Sequence, residues 1–166
     1  MKDIRFREWD QAREDMMPGH GMSYSVRKDS DDEVSFVFAH YESDESWKDN
    51  HRVLEQYIGR KDINDKEIFE GDIVSVDVQD CPAGYAREII FIGVIVFEES
   101  TCDFCVKLLK RPEFHGESLP IEICSLPVSG GYDYEYDYFW FDESVNDEDI
   151  EVIGNIHENP ELLEAD

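Results

Sequence analysis

Turn-forming residues break this 166-residue chain about every ten positions, and short runs rich in β-branched and aromatic side chains lie between the breaks. Such spacing leaves no room for a long amphipathic helix and calls for strands paired across turns. The clearest run is Ile73-Val74-Ser75-Val76-Asp77-Val78, in which Val74, Val76 and Val78 share one face. Burying that face contributes about 1.5–3 kcal/mol per valine before entropy is counted. Further strands are expected at 4–9, 34–41, 52–59, 67–69, 88–98, 104–109, 121–124, 132–141 and 150–156. Gly93 is expected to mark a bulge or sharp bend. Turns or loops fall at 10–21 (with Pro18-Gly19), 28–33, 42–50, 62–66, 70–72, 81–84, 111–120 and 129–131. A short helix is expected after Asn159, with Asn159 as N-cap and Pro160 at its first position. The pattern predicts a mainly β fold, a small and highly curved barrel or roll with peripheral additions. Trp9, Tyr57, Phe69, Ile73, Val76 and Ile153 are the expected core positions.

The surface of this fold is strongly anionic. Acidic residues number 41 against 15 basic ones, a formal charge of -26, while 41% hydrophobic and 13% aromatic content is too rich for a disordered acidic tail. Residues 1–111 hold 25 acidic and 15 basic residues, and residues 112–166 hold 16 acidic residues with no Lys or Arg. Binding to a phosphate backbone needs clustered Lys and Arg, so direct nucleic-acid binding is excluded as a main role. The same field repels anionic lipid and attracts basic partners. No apolar run approaches the roughly 20 residues of a membrane helix, and Met1-Lys2-Asp3-Ile4-Arg5 lacks an apolar signal region. The expected location is the cytoplasm of the producing cell. Cys81, Cys102, Cys105 and Cys124 are then expected as reduced thiols. Cys102 and Cys105 form one C-x-x-C pair, without the second tight pair or nearby histidines that a zinc site wants.

Motifs that would carry chemistry are missing their key residues. The acidic run from Asp29 fails the EF-hand spacing, with Val34 at the sixth position and His40 at the twelfth; from Asp142 these positions hold Asp147 and Ile153. Ser129 lacks the preceding glycine of a nucleophile elbow, and there is no phosphate-binding glycine loop. The histidines, at 20, 40, 51, 115 and 157, share no ligand spacing. In Glu70-Gly71-Asp72 the glycine can take positive φ and the carboxylates can accept backbone N–H groups, which makes these turn residues and not a catalytic pair. The expectation is a non-enzymatic protein without cofactor or metal.

One constellation stands apart. In Tyr132-Asp133-Tyr134-Glu135-Tyr136-Asp137-Tyr138-Phe139-Trp140-Phe141, tyrosines alternate with carboxylates. On one strand this puts aromatics on one face and acids on the other. One reading is an edge strand whose carboxylates block edge-to-edge pairing. The other is a recognition surface, with aromatic anchors and carboxylates steering a Lys- or Arg-rich partner. Its partner-binding candidates are Asp133, Tyr134, Glu135, Tyr136, Asp137 and Trp140.

Three segments, in order along the chain, resemble the YopX-like family of phage and prophage proteins. Ile4-Arg5-Phe6-Arg7-Glu8-Trp9-Asp10 is similar to the family's K-F-R-x-W-D opening. Gln56-Tyr57-Ile58-Gly59-Arg60-Lys61-Asp62 with Lys66-Glu67-Ile68-Phe69-Glu70-Gly71-Asp72-Ile73-Val74 follows its Q-Y-T-G-x-x-D-x-x-G-x-x-I-Y-E-G-D-I-V pattern. Glu151-Val152-Ile153-Gly154-Asn155-Ile156-His157-Glu158-Asn159-Pro160-Glu161-Leu162-Leu163 follows its closing E-V-I-G-N-I-Y-E-N-P-E-L-L. The resemblance implies an SH3-like β-roll, a phage or prophage origin and homo-oligomeric assembly; it supplies no catalytic or ligand-binding residues. This chain departs from the pattern at Ile58 (usually Thr), at Asp65 (usually Gly) and in a longer, more acidic stretch at 112–149. The expected organisation is a single domain over 1–166. In it, 52–166 forms the barrel region, 1–51 supplies strands and acidic loops packed on it, and 112–149 is an acidic aromatic insertion. The expected function is a phage-encoded accessory protein acting as a protein-interaction or assembly module. The alternative is an acidic nucleic-acid mimic that inhibits a host defence or regulatory protein.

Overall fold

The computed structural model describes residues 5–10, 14–17, 24–28, 34–38, 52–116, 119–124, 126–128, 131–133, 137–141 and 145–164. The fold is mainly β, with antiparallel sheets and few, short helices. The chain forms two compact units, Met1–Tyr57 and Ile58–Asp166. The acidic loop expected at 42–50, the turn at 29–33 and the Pro18-Gly19 turn lie outside the described residues, as do His20, His40 and His51.

In the first unit, β1 (Phe6–Asp10) pairs on one side with β2 (Asp15–Met17) and on the other with the start of β5 (Arg52–Lys61). β2 falls inside the segment expected to be a polar turn. A tight reversal at Glu14, which takes φ 50, returns the chain beside β1 and lets backbone pairing override the polar composition. Trp9 and Tyr57 are buried, as expected. Arg7 and Glu55 stand directly opposite each other in the ladder, and Arg7 Nε donates to Glu55 Oε2 at 2.6 Å in a buried pair. A second hairpin, β3 (Tyr24–Lys28) with β4 (Val34–Phe38), belongs to the same unit.

The second unit continues through the end of β5, which neighbours β6 (Glu67–Phe69). It then builds a seven-stranded antiparallel sheet from β7 (Asp72–Asp80), β8 (Arg87–Glu98), β9 (Asp103–Leu108), β10 (Glu113–His115), β11 (Gly131–Asp133), β12 (Tyr138–Trp140) and β13 (Ile150–Asn155). The order is β11-β12-β9-β8-β7-β13, and β10, unforeseen within the 111–120 loop, pairs with the N-terminal stretch of β8. The sheets do not close into the expected barrel. The outer edge of β13 is instead taken by the turn after β5. Ile63 N–H donates to Ile150 O at 2.9 Å, and Val152 N–H donates to Asp62 Oδ2 at 3.1 Å.

The core lies on one face of this sheet. Val74, Val76, Val78, Ile89, Phe91, Ile95, Val106, Phe139 and Ile150 meet there, joined by Ile68, Val128 and Val145. Phe69, Ile73 and Val76 are buried as expected, whereas Ile153 is 40% exposed. The ladder between β13 and β7 shifts register between Val152 and Gly154. Ile150 faces the core and Val152 packs against it, and Ile153, skipped by the ladder at that shift, turns outward.

Gly93 is no bulge: pairing with β7 runs in unbroken register past it, and on the other side it stands opposite Leu108, the last residue of β9. The strands approach so closely there that a Cβ would sit 2.4 Å from Lys107 O and 2.7 Å from Val106 Cγ1. Ile121–Cys124, expected as a strand, is one helical turn. Ile123 and Cys124 N–H both donate to Pro120 O, so the segment closes on itself, with Ile123 buried and Ile121 exposed. The C-terminal helix is a 3₁₀ turn over Pro160–Glu164 with Pro160 first, as expected; Asn159 O accepts from Leu162 N–H at 3.1 Å, and its side chain accepts from Asn155 N–H at 3.2 Å and donates to Glu161 Oε1 at 3.4 Å.

The second and third of the segments that carried the family resemblance meet in space within this unit, through residues 62–72 and 150–157. Gly71 takes φ 81 and donates its N–H to Ile95 O, while its own carbonyl accepts from Ile156 N–H at 3.0 Å. Asp72 is fully buried: Oδ2 accepts from Phe69 N–H at 2.9 Å and Oδ1 from Asn155 Nδ2 at 3.4 Å. Asn155 Oδ1 in turn accepts from His157 N–H. Asp65, which replaces the family's turn glycine, holds φ 62. The Glu70-Gly71-Asp72 turn and the Gly154-Asn155 segment therefore lock β6, β7 and β13 together, a fold-specifying task.

Candidate partner-binding surface and its cleft

The alternating run at 132–141 is a hairpin, not one strand. β11 and β12 pair with Tyr132 opposite Phe139 and Asp133 opposite Tyr138. Asp137, at φ 54, turns the chain into β12, and its carbonyl accepts from Leu108 N–H at 2.8 Å. The reversal breaks the strict two-face alternation. Phe139 becomes the buried member, stacked on Phe91 with ring centroids 4.3 Å apart, and Tyr132 tilts against the same Phe91 at 5.3 Å. Tyr138 and Trp140 occupy the other face, edge-to-face at 6.1 Å, each half-buried.

Of the candidate residues, Asp133 is half-buried in β11, Asp137 is exposed and accepts from Tyr132 Oη at 3.3 Å, and Trp140 lies opposite Cys105 in the ladder. Tyr134, Glu135 and Tyr136 lie outside the described residues. The hairpin ends the sheet, so β11 is an edge strand.

Beside this hairpin the sheet holds a cleft of about 310 Å³, lined by Ile58, Arg60, Asp103, Phe104, Phe141 and Val145. Arg60 is fixed on three sides. Its Nε donates to Asp147 Oδ1 at 2.8 Å, its Nη2 to Val145 O at 2.6 Å, and its guanidinium lies 5.2 Å from the Phe141 ring centroid. Phe104 packs edge-on against Phe97, which is 44% exposed. Asp103 is exposed and uses Oδ1 to accept from Phe104 N–H. Sequence reading missed these residues: Arg60 and Asp147 are 87 positions apart, and no local pattern joins them. The one legible signal was Arg60 itself, a cation between Gly59 and Lys61 at the end of an apolar strand.

A second arginine anchors the acidic stretch. Arg87, 2% exposed, makes a two-pronged ion pair with Asp80, and its guanidinium also donates to Ile123 O at 2.7 Å and to Leu126 O and Pro127 O at 3.2 Å. The loop between α1 (Ile121–Cys124) and β11 is thereby tied to β7 and β8.

Burial divides the C-x-x-C pair. Cys102 is exposed in a turn at φ 55, and Cys105 is fully buried beneath the opposite strand. Burial, then the charges of Glu98 and Asp103, push the Cys105 thiol up to about 11, away from the reactive thiolate. Burial and the charge of Glu98 likewise raise the Tyr138 phenol. Among the described residues, no three His, Cys, Asp or Glu side chains converge on a metal-sized position, and no helix is long and apolar enough to cross a membrane.

The model of a family described as YopX protein matches residues 5–164. A crystal structure described as that of protein EF1440 from Enterococcus faecalis is similar at 24% identity, covering 99% of this chain and 100% of that one, with a TM-score of 0.47. A comparison with curated proteins finds no match.

Proposed function

The chain belongs to the YopX protein family, and on that premise we propose that it is a non-enzymatic accessory protein of a phage or prophage. On this reading it is cytoplasmic, self-associating and specialised for contact with other proteins, and its open sheet is an SH3-like roll. The observation that carries the reading is the anionic aromatic hairpin at the sheet edge. Asp133 stands opposite Tyr138 in the ladder, Tyr138 packs edge-to-face on Trp140, and Asp137 turns the chain into their strand, in a stretch from residue 112 onward that contains no Lys or Arg. Aromatic rings beside carboxylates are how interfaces gain both contact area and steering. The turn carboxylate Asp72, by contrast, is spent on holding the fold.

Light scattering of the full chain at 0.05 and 0.5 M NaCl tests the reading. An oligomer that persists in the higher salt and is weakened by Trp140→Ala supports an assembly module. A monomer at every concentration, with a host nucleic-acid-binding protein retained on it only below moderate salt, would move the assignment to an acidic mimic.

A further inference from the structure

Resting on the interaction reading above, we infer that the cleft at Ile58, Arg60, Asp103, Phe104, Phe141 and Val145 receives a basic-apolar side-chain pair from a partner protein's peptide segment. Its volume of about 310 Å³ lies at the lower edge of the roughly 300–1,000 Å³ typical of ligand sites, sized for one or two side chains and not for a nucleotide cofactor. Four of the six lining residues are apolar and two of them are phenylalanines; most of the lining surface is nevertheless polar, so an apolar body packs on a limited wall and the polar rim has to be met as well.

Charge selects the rest of the ligand. Arg60, the one lining cation, is already neutralised by Asp147, and its Nη2 is spent on Val145 O. An anion entering here would face Asp103 on the rim, 52%-exposed Asp147 beside it, and the net charge of -26. A cation meets the reverse. Among the described residues, Asp103 Oδ2 and Asp147 Oδ2 have no partner, since each residue binds through Oδ1 alone. Phe141 already carries one guanidinium, whereas the Phe104 ring contacts Phe97 and, among the described residues, no cation. An incoming Arg or Lys therefore has a carboxylate oxygen to bond and an aromatic surface to lie against. Its neighbouring apolar side chain fills the space between Ile58 and Val145.

The probes are acetyl-leucyl-arginyl-leucinamide and its glutamyl counterpart, titrated into the ¹⁵N-labelled full chain with backbone amide shifts as readout. The arginyl peptide is expected to shift the amides of Ile58, Arg60, Phe104, Phe141 and Val145 saturably, at least fivefold more tightly than the glutamyl peptide. Asp103→Asn, at an exposed position, is expected to weaken it about threefold, and Phe104→Leu at least as much. Equal or tighter binding of the glutamyl peptide overturns the inference. So does arginyl binding that ignores both variants. Shifts confined to residues 131–133 and 137–140 overturn the cleft while leaving the interaction reading standing; no shift anywhere, together with a salt-independent monomer, removes both.

Discussion

Asp62 and Asp77 are both withdrawn from water, and their surroundings pull them in opposite directions. Burial raises the Asp62 carboxyl, but N–H groups of Val152, Lys66 and Asn64, with the Lys66 charge, outweigh it and hold it below its ordinary value. A depressed folded value means that the ionised carboxylate stabilises the native state above the ordinary 3.8 and that this contribution is lost as pH falls through the folded value. Asp62→Ala leaves three donors without their acceptor and is expected to cost roughly 2–4 kcal/mol at pH 7 by urea unfolding. Asp77 is raised, first by burial and then by Glu88 on the neighbouring strand, with Asp149 adding and His115 opposing. Its Oδ1 is buried without a hydrogen-bond partner among the described residues. Here the sign reverses: the native state holds the proton more tightly, so stability declines as pH rises from the ordinary 3.8 through the raised value. Asp77→Asn should therefore stabilise the protein at pH 7 by roughly 0.2–1 kcal/mol, the size of a cross-strand like-charge pair. The gain should shrink toward zero as unfolding is measured at successively lower pH down to about 4.

At the scale of elements, the fold depends on close approach where β8 crosses β9. Residue 93 must be glycine because any Cβ would strike the Lys107 carbonyl and the Val106 side chain, both held by the ladder. Gly93→Ala is expected to destabilise by at least about 1–3 kcal/mol, with protection of the Lys107 and Leu108 amides from hydrogen exchange lost first. The strands that sequence reading placed well, β7 and β8, owe that to clean alternation against one buried face. The elements it misplaced are only three or four residues long. β2 and β10 form because a partner strand lies alongside, and Ile121–Cys124 coils because Pro120 O is within reach. Three or four residues carry too little periodicity to distinguish these outcomes.

For the molecule as a whole, charge is the dominant liability. With 41 acidic against 15 basic residues, the compact state brings like charges together that the unfolded chain separates. Raising NaCl from 0.02 to 0.5 M, which cuts the screening length several-fold, is expected to raise Tm by on the order of 5 °C, equivalent to about 1–2 kcal/mol. A Tm that falls with salt would show that specific ion pairs such as Arg7–Glu55 and Arg87–Asp80 outweigh the collective repulsion.

Taken alone, the amino-acid order determined the mainly β character, the anionic surface, five of six core positions and the family, because these follow from composition and short-range periodicity. It also assigned Glu70, Gly71 and Asp72 to turn-building, since that chemistry is local. Tertiary structure decided the open sheet, the outward turn of Ile153, the splitting of the aromatic run into a hairpin and the cleft around Arg60. Each of these depends on which strand edge meets which distant segment. Pairings such as Ile63 with Ile150 and Arg60 with Asp147 span more than 80 residues and leave no imprint on the neighbours of either partner.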